Sequence, residues 1–165
     1  MKKLTRFTLF LKYFGWFKVA MIGYLRPKII TLTSQTIIVK IPLNRRSKNH
    51  LNSMYFGALA VGADIAGGLH GFYHADKMNR NISLAFKTFQ AHFLSRPESD
   101  VYFVSEMGNT VHKMLITSQQ QQKRINQAIT VTAYTDYQNE KKKVATFTLE
   151  LSIKVLTDNR NTHHK

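Results

Sequence analysis

Residues 146–155 alternate strictly: Phe147, Leu149, Leu151, Ile153 and Val155 interleave with Thr146, Thr148, Glu150, Ser152 and Lys154. Ile125, Ile129, Val131 and Ala133 do the same among polar or small neighbours. A period of two marks strands with one face on a core and one in water, and the polar turn at 138–143 predicts that these two pair antiparallel. Ile82, Leu84 and Phe86 also alternate, but the phase then slips to Phe89, Ala91 and Phe93. That pattern predicts a long strand with a bulge or bend. Residues 28–32 and 36–41, rich in Ile, Val and Thr, predict a hairpin around Thr33-Ser34-Gln35, and 101–105 predicts a strand after the turn at 96–99.

Three segments carry a helical period instead. Leu4, Phe7, Leu11, Phe14, Phe17 and Met21 recur at three- and four-residue steps, which predicts one amphipathic helix over 1–22, ended by Arg26-Pro27. Val111, Met114, Leu115 and Ser118 share a face within 109–124, where Gln119 to Gln122 form a solvated face or loop. Residues 49–68 are small and apolar and predict a buried central helix, capped by Asn52 or Ser53 and ended by Gly67-Gly68, with 73–81 as a polar connector. Interior glycines cost helix propensity but let another backbone come close.

The central segment holds one formal charge, Asp64, the only one between Lys48 and Asp76. An ionised carboxylate in apolar surroundings is costly unless partners or water compensate for it, so Asp64 is either catalytic or tied to a structural partner. This carboxylate and the polar run before it exclude a membrane span, which needs about 20 apolar residues.

Length and composition narrow the picture further. A chain of 165 residues is most simply a single folded domain: an N-terminal helix over 1–26, a domain over 27–157 and a polar tail over 158–165. Cysteine is absent, which excludes disulfides, zinc–thiolate sites and cysteine nucleophiles. His50, His70 and His74 read as surface or packing residues, His163-His164 as part of the tail, and no spacing predicts a metal site. Lys and Arg interrupt the N-terminal apolar run and no cleavage site follows, so a secretory signal is not expected and the cytoplasm is the default compartment. The net charge of +15 favours anionic partners. Nucleic acid is disfavoured because the aromatic and glycine signatures of the common modules are missing, whereas a basic amphipathic N-terminal helix leaves peripheral membrane contact open.

One central helix of small residues, preceded by a hairpin and followed by long antiparallel strands, resembles the hotdog fold, an α+β architecture in which an antiparallel sheet wraps around one helix. Over roughly 28–157 the chain resembles the acyl-coenzyme A thioesterases of the phenylacetate-degradation type, and more closely an uncharacterised thioesterase-like branch of them. That family places an Asn before the helix, His-Gly-Gly near its start, and an Asp or Glu nine residues after the His. Asn49 falls on the asparagine, Gly57 on the second glycine and Asp64 on the carboxylate, while Tyr55-Phe56 replaces His-Gly. The resemblance implies Asp64 as base or nucleophile, Asn49 orienting the reacting group, and the backbone N–H of Phe56 polarising the thioester oxygen. It also implies an acyl pocket at the dimer interface lined by Met54, Tyr55, Phe56 and Phe72, with His50 as a further substrate-binding residue and Arg45, Arg46 and Lys48 meeting coenzyme A phosphates. No cofactor is implied beyond coenzyme A as part of the substrate, and the site would lie between subunits of a homodimer or dimer of dimers. A non-catalytic acyl- or lipid-binding protein of the same fold is the alternative reading, and a basic membrane-surface or nucleic-acid protein a weaker one.

Overall fold

The computed structural model describes residues 3–157, so the polar tail expected at its C-terminal end lies outside the described residues. The elements run α1 (Lys3–Phe17), α2 (Ala20–Leu25), β1 (Lys28–Leu32), β2 (Ile37–Ile41), α3 (Phe56–Lys77), β3 (Ile82–Phe93), β4 (Val101–Ser105), α4 (Gly108–Gln121), β5 (Ile125–Thr135) and β6 (Lys142–Val155). One antiparallel sheet of 6 strands, ordered β1-β2-β4-β5-β6-β3, wraps around α3.

The alternating segments form the strands they predict. β5 and β6 pair with Ile129 opposite Leu149 and Val131 opposite Phe147, all four buried. The phase slip in β3 is a register shift between Phe86 and Phe89 against β6. In the β1–β2 hairpin the Thr33 hydroxyl oxygen accepts from the N–H groups of Gln35 and Thr36, which sets the turn.

Three helix expectations are corrected. Gly67-Gly68 does not end α3, which continues to Lys77 and takes up most of the expected connector. The small residues there serve packing: a Cβ on Gly71 would stand 2.6 Å from Leu84 Cδ1. Neither Asn52 nor Ser53 caps the helix. The residue before α3 is Tyr55, without a side-chain cap, while Asn52 takes a left-handed φ of 59° and the buried Ser53 hydroxyl bonds Asn49. Finally, the N-terminal segment is two helices. The chain turns at Val19 and brings α2 back so close that a Cβ on Gly15 would stand 2.7 Å from the Gly23 nitrogen. The turn lets Ile22 and Leu25 join Phe7 and Leu11 in the core, and leaves Phe17 and Met21 in solvent.

His70 and His74 are buried rather than superficial. The Ser105 carbonyl can only accept, so His70 donates from Nε2 at 3.2 Å, and its Nδ1 and the Ser105 hydroxyl have no partner among the described residues. Burial pushes the His70 imidazolium down from 6.5 to about 4, and burial likewise lowers His74. A base whose folded pKa is depressed contributes stability that is full above its unfolded pKa and lost as pH falls through the folded one. Unfolding free energy is therefore expected to drop by about 3 kcal/mol through His70 as pH falls from 6.5 to 4. His70→Gln, which keeps a donor for Ser105 without a titrating ring, should flatten that interval in denaturant titrations; an equal slope in both proteins would refute the assignment.

Among the glycines of α3 the least room is at Gly62, where a Cβ would stand 2.3 Å from the ring of the fully buried Phe103. Gly62→Ala is expected to cost about 1–3 kcal/mol by overpacking, despite alanine's better helix propensity. Thermal unfolding reads this directly, and an unchanged or raised midpoint would contradict it.

Candidate active site

α3 carries both parts of the candidate site, but at different points along its length. Near its middle, the partly buried Asp64 faces a cavity of 250 Å³. Its walls are Leu69 and Phe72 from α3, Leu84 and Phe86 from β3, and Phe14 and Ile22 from the two N-terminal helices. No hydrogen bond or ion pair reaches the Asp64 carboxylate among the described residues. Burial pushes its pKa above the usual aspartate range, with no neighbouring charge opposing it. The structural partner that would have made Asp64 a bland residue is therefore missing within the described chain, and the carboxylate is suited to accept a proton or attack a carbonyl.

A second cavity of 470 Å³ shares Phe10 and Phe72 with the first and is lined on its polar side by Arg6, Asp76, Arg80 and Asn81. Arg6 is ion-paired with Asp76 across it. The apolar chamber holding Asp64 thus neighbours a more polar vestibule bearing guanidinium groups, with Phe10 and Phe72 between them. None of these vestibule residues stood out in the sequence, because Arg6 and Arg80 meet only through the packing of α1 on the end of α3.

At the start of α3, Asn49, His50, Met54, Tyr55 and Phe56 line an open depression of 420 Å³, together with Phe93 and Leu94 at the end of β3. Neither Phe56 nor Gly57 donates its backbone N–H to an acceptor among the described residues, as expected for the first turn of a helix. The Asn49 side-chain oxygen is occupied within its own loop: it accepts from the Leu51 N–H at 2.9 Å and from the Ser53 N–H and hydroxyl, both at 3.2 Å. Only its amide NH₂ remains for a ligand. Gly57 lies under the Tyr55 ring, where a Cβ would stand 2.5 Å from Cε1, so the glycine here makes room for an aromatic ring. Met54 is only 2% exposed and contributes little more than a floor.

The basic residues assigned to coenzyme A phosphates lie elsewhere. Lys48 Nζ donates to Asn52 Oδ1 at 3.1 Å, the Arg46 guanidinium sits 5.7 Å from the Tyr24 ring centre, and Arg45 is exposed. None of the three lines the Asp64 cavity or the depression at Phe56. Among the described residues no group of three His, Asp or Glu is placed to hold a metal ion.

Asp64 and the Phe56 N–H do not meet within one chain. Eight residues of helix put them about 12 Å apart along the axis. They open into separate cavities, and β3 borders both, through Leu84 to Phe86 at its beginning and Phe93 and Leu94 at its end.

No protein-family model matches the chain, and no curated protein matches it. Solved structures do. A protein of unknown function from Chlorobaculum tepidum superposes with a TM-score of 0.78 at 13% identity, over 91% of this chain and 95% of its own. A thioesterase from Haemophilus influenzae gives 0.65 at 15% identity, over 99% and 96%. A thioesterase family protein from Silicibacter pomeroyi gives 0.64 at 18% identity, over 88% and 95%. The chain has the hotdog fold. Its α3 is the hotdog's central helix, and the Haemophilus influenzae alignment, over 99% of this chain, takes in the N-terminal helices as well. At these identities the likeness establishes the hotdog fold and leaves the chemistry to the site itself.

Proposed function

We propose that the protein is a thioesterase that hydrolyses acyl thioesters, acyl-coenzyme A among them, with Asp64 as general base or nucleophile. The observation that carries this reading is the unpaired Asp64 carboxylate in an apolar cavity, its pKa raised by burial. As base it takes a proton from water while the water oxygen bonds to the thioester carbon; as nucleophile it forms that bond itself and water then cleaves the anhydride. On either route the C–S bond breaks, its electron pair leaves with sulfur, and a proton completes the thiol. Negative charge gathers on the carbonyl oxygen, where a backbone N–H held in place stabilises it. The free N–H groups of Phe56 and Gly57 are suited to that task.

The same reading requires a homodimer, since one chain does not bring Phe56 to Asp64. β3 is a 12-residue edge strand with an unpaired side and exposed Phe89 and Phe93. Such an edge is a template for pairing with another strand. Antiparallel pairing of two copies of β3 about an axis near Phe89 would set the end of one strand beside the beginning of the other. The Phe56 N–H of one protomer would then lie on the side of its partner's Asp64 cavity.

Thiol release from a panel of short, medium, long-chain and aromatic acyl-coenzyme A thioesters tests the proposal. Turnover of at least one member is expected. Retention of an acyl ligand with no turnover, by a folded dimer, would replace it with the acyl-binding reading, for which the loss of His-Gly at Tyr55-Phe56 would be the reason.

A further inference from the structure

The helices α1 and α2 have two faces of opposite use. Their inner face supplies Phe10, Leu11, Phe14 and Ile22 to the wall of the Asp64 cavity. Their outer face carries Tyr13, Trp16, Phe17, Met21 and Tyr24, exposed by 56, 78, 72, 57 and 54%. They fall in groups on this face: the Tyr13 and Phe17 rings lie 5.0 Å apart, Trp16 is the neighbour of Phe17 on the same helix, and Trp16, Ala20, Gly23 and Tyr24 border one shallow hollow with Arg46. Isolated apolar residues on a surface need no account, but an aromatic and aliphatic patch marks an interaction surface.

The charges around the patch indicate what it meets. Lys12, Lys18, Arg26, Arg45 and Arg46 are all exposed around or beside it, and none makes an ion pair among the described residues. No Asp or Glu occurs anywhere before Asp64 in the sequence. A second copy of the chain would bring the same positive field face to face with itself, which disfavours the patch as a self-interface. Nor is any described helix long and apolar enough to cross a membrane. A short helix with aromatic residues on one side and a lysine and arginine rim fits the plane of a bilayer interface, with the rings at the acyl boundary and the cations among anionic headgroups.

We propose that the outer face of α1 and α2 docks the protein on anionic lipid bilayers, with Trp16, Phe17 and Met21 entering the interface and Lys12, Lys18, Arg26 and Arg46 holding the headgroups. The surface stands on its own observations and does not depend on the thioesterase reading. Docking places the wall of the Asp64 cavity against the membrane, where hydrophobic acyl compounds reside.

Trp16 is the only tryptophan, so its fluorescence reports on this surface alone. The full chain is titrated with phosphatidylcholine vesicles and with vesicles in which phosphatidylglycerol replaces part of the phosphatidylcholine. A blue shift and co-sedimentation are expected with the anionic vesicles, weakening as salt rises, and much less with phosphatidylcholine alone. Phe17→Ser with Met21→Ser keeps the reporter and should weaken partitioning about tenfold or more. Lys12→Gln and Lys18→Gln should each weaken it about fivefold on anionic vesicles. Thermal unfolding like that of the wild type shows that the variants are folded. The proposal is overturned if neither vesicle moves Trp16 emission, or if both move it equally. It is likewise overturned if the shift appears without lipid alongside a dimer that Phe17→Ser with Met21→Ser abolishes, or appears with single-stranded RNA and not with vesicles.

Discussion

Asp64→Asn is expected to lower thioester hydrolysis by about 10²–10⁴-fold while making the protein more stable at neutral pH. Both effects have one cause. The carboxylate lies in an apolar cavity without a hydrogen bond or counter-charge among the described residues, so its ionised form is both reactive and costly. Asparagine keeps the shape and removes the charge. In acid, folded and unfolded chains both hold the Asp64 proton, and the two proteins should be equally stable. As pH rises past the ordinary aspartate value of 3.8, the unfolded chain releases its proton before the folded one does, and wild-type stability falls until the folded group has also ionised. The variant lacks that loss, so its advantage opens across this interval and persists above it. Each kcal/mol relieved appears as about 2–4 °C in melting temperature for a chain of this size. A variant as active as wild type would remove Asp64 from the chemistry. One less stable than wild type at neutral pH would mean that the carboxylate has a partner after all.

Phe56→Pro is expected to lower activity by about 10²–10³-fold without disturbing α3. Proline lacks the N–H but suits the first position of a helix, and Tyr55 before it already has the extended backbone that a following proline requires, at φ −65° and ψ 139°. Phe56→Ala, which keeps the N–H and removes a ring that is 61% exposed, should retain most of the activity. Equal losses in the two variants would assign the effect to the ring and not to the donor. Co-expression of Asp64→Asn chains with Phe56→Pro chains extends the test to the dimer. In a mixed dimer one site pairs an intact Asp64 with an intact Phe56 N–H, and the other lacks both. Activity restored in the mixture, when each variant alone is inactive, places the two groups on different chains; failure to restore it would place them on the same one.

The residue assignments and the dimer separate in these experiments, because the single variants test Asp64 and Phe56 of α3 and the mixed dimer tests which chains supply them. The same division applies to what could be read from residues. Period-two alternation in β5 and β6, and the slip between Phe86 and Phe89, were legible because a strand's side-chain period is local and a bulge shifts its phase by a countable step. The isolation of Asp64 was legible for a similar reason, since a single charge in a long apolar segment is visible without any fold. By contrast, Gly67-Gly68 read as a helix end because a glycine pair is a local stop signal, whereas the demand for a small residue at Gly67 comes from Ile129 on the sheet, whose Cδ1 would stand 2.9 Å from an added Cβ and which no local rule sees. His70 read as a surface or packing residue and packs; which of the two it would be was not legible, because its partner, the Ser105 carbonyl, lies 35 residues further along the chain.

By itself, the sequence determined which segments alternate, which carry a helical period, where the one charge of the central segment sits and how strongly positive the chain is. Those properties depend on neighbours within a turn or a strand. Only the tertiary structure decided that α1 and α2 fold back to wall the Asp64 cavity, that Arg6 and Arg80 form its vestibule, and that Asn49 and Phe56 open into a different cavity from Asp64. It also decided that Arg45, Arg46 and Lys48 stand apart from both. Each of these is a relation between residues tens of positions apart, fixed by which face of α3 meets which strand, and packing of that kind leaves no period in the chain to be read.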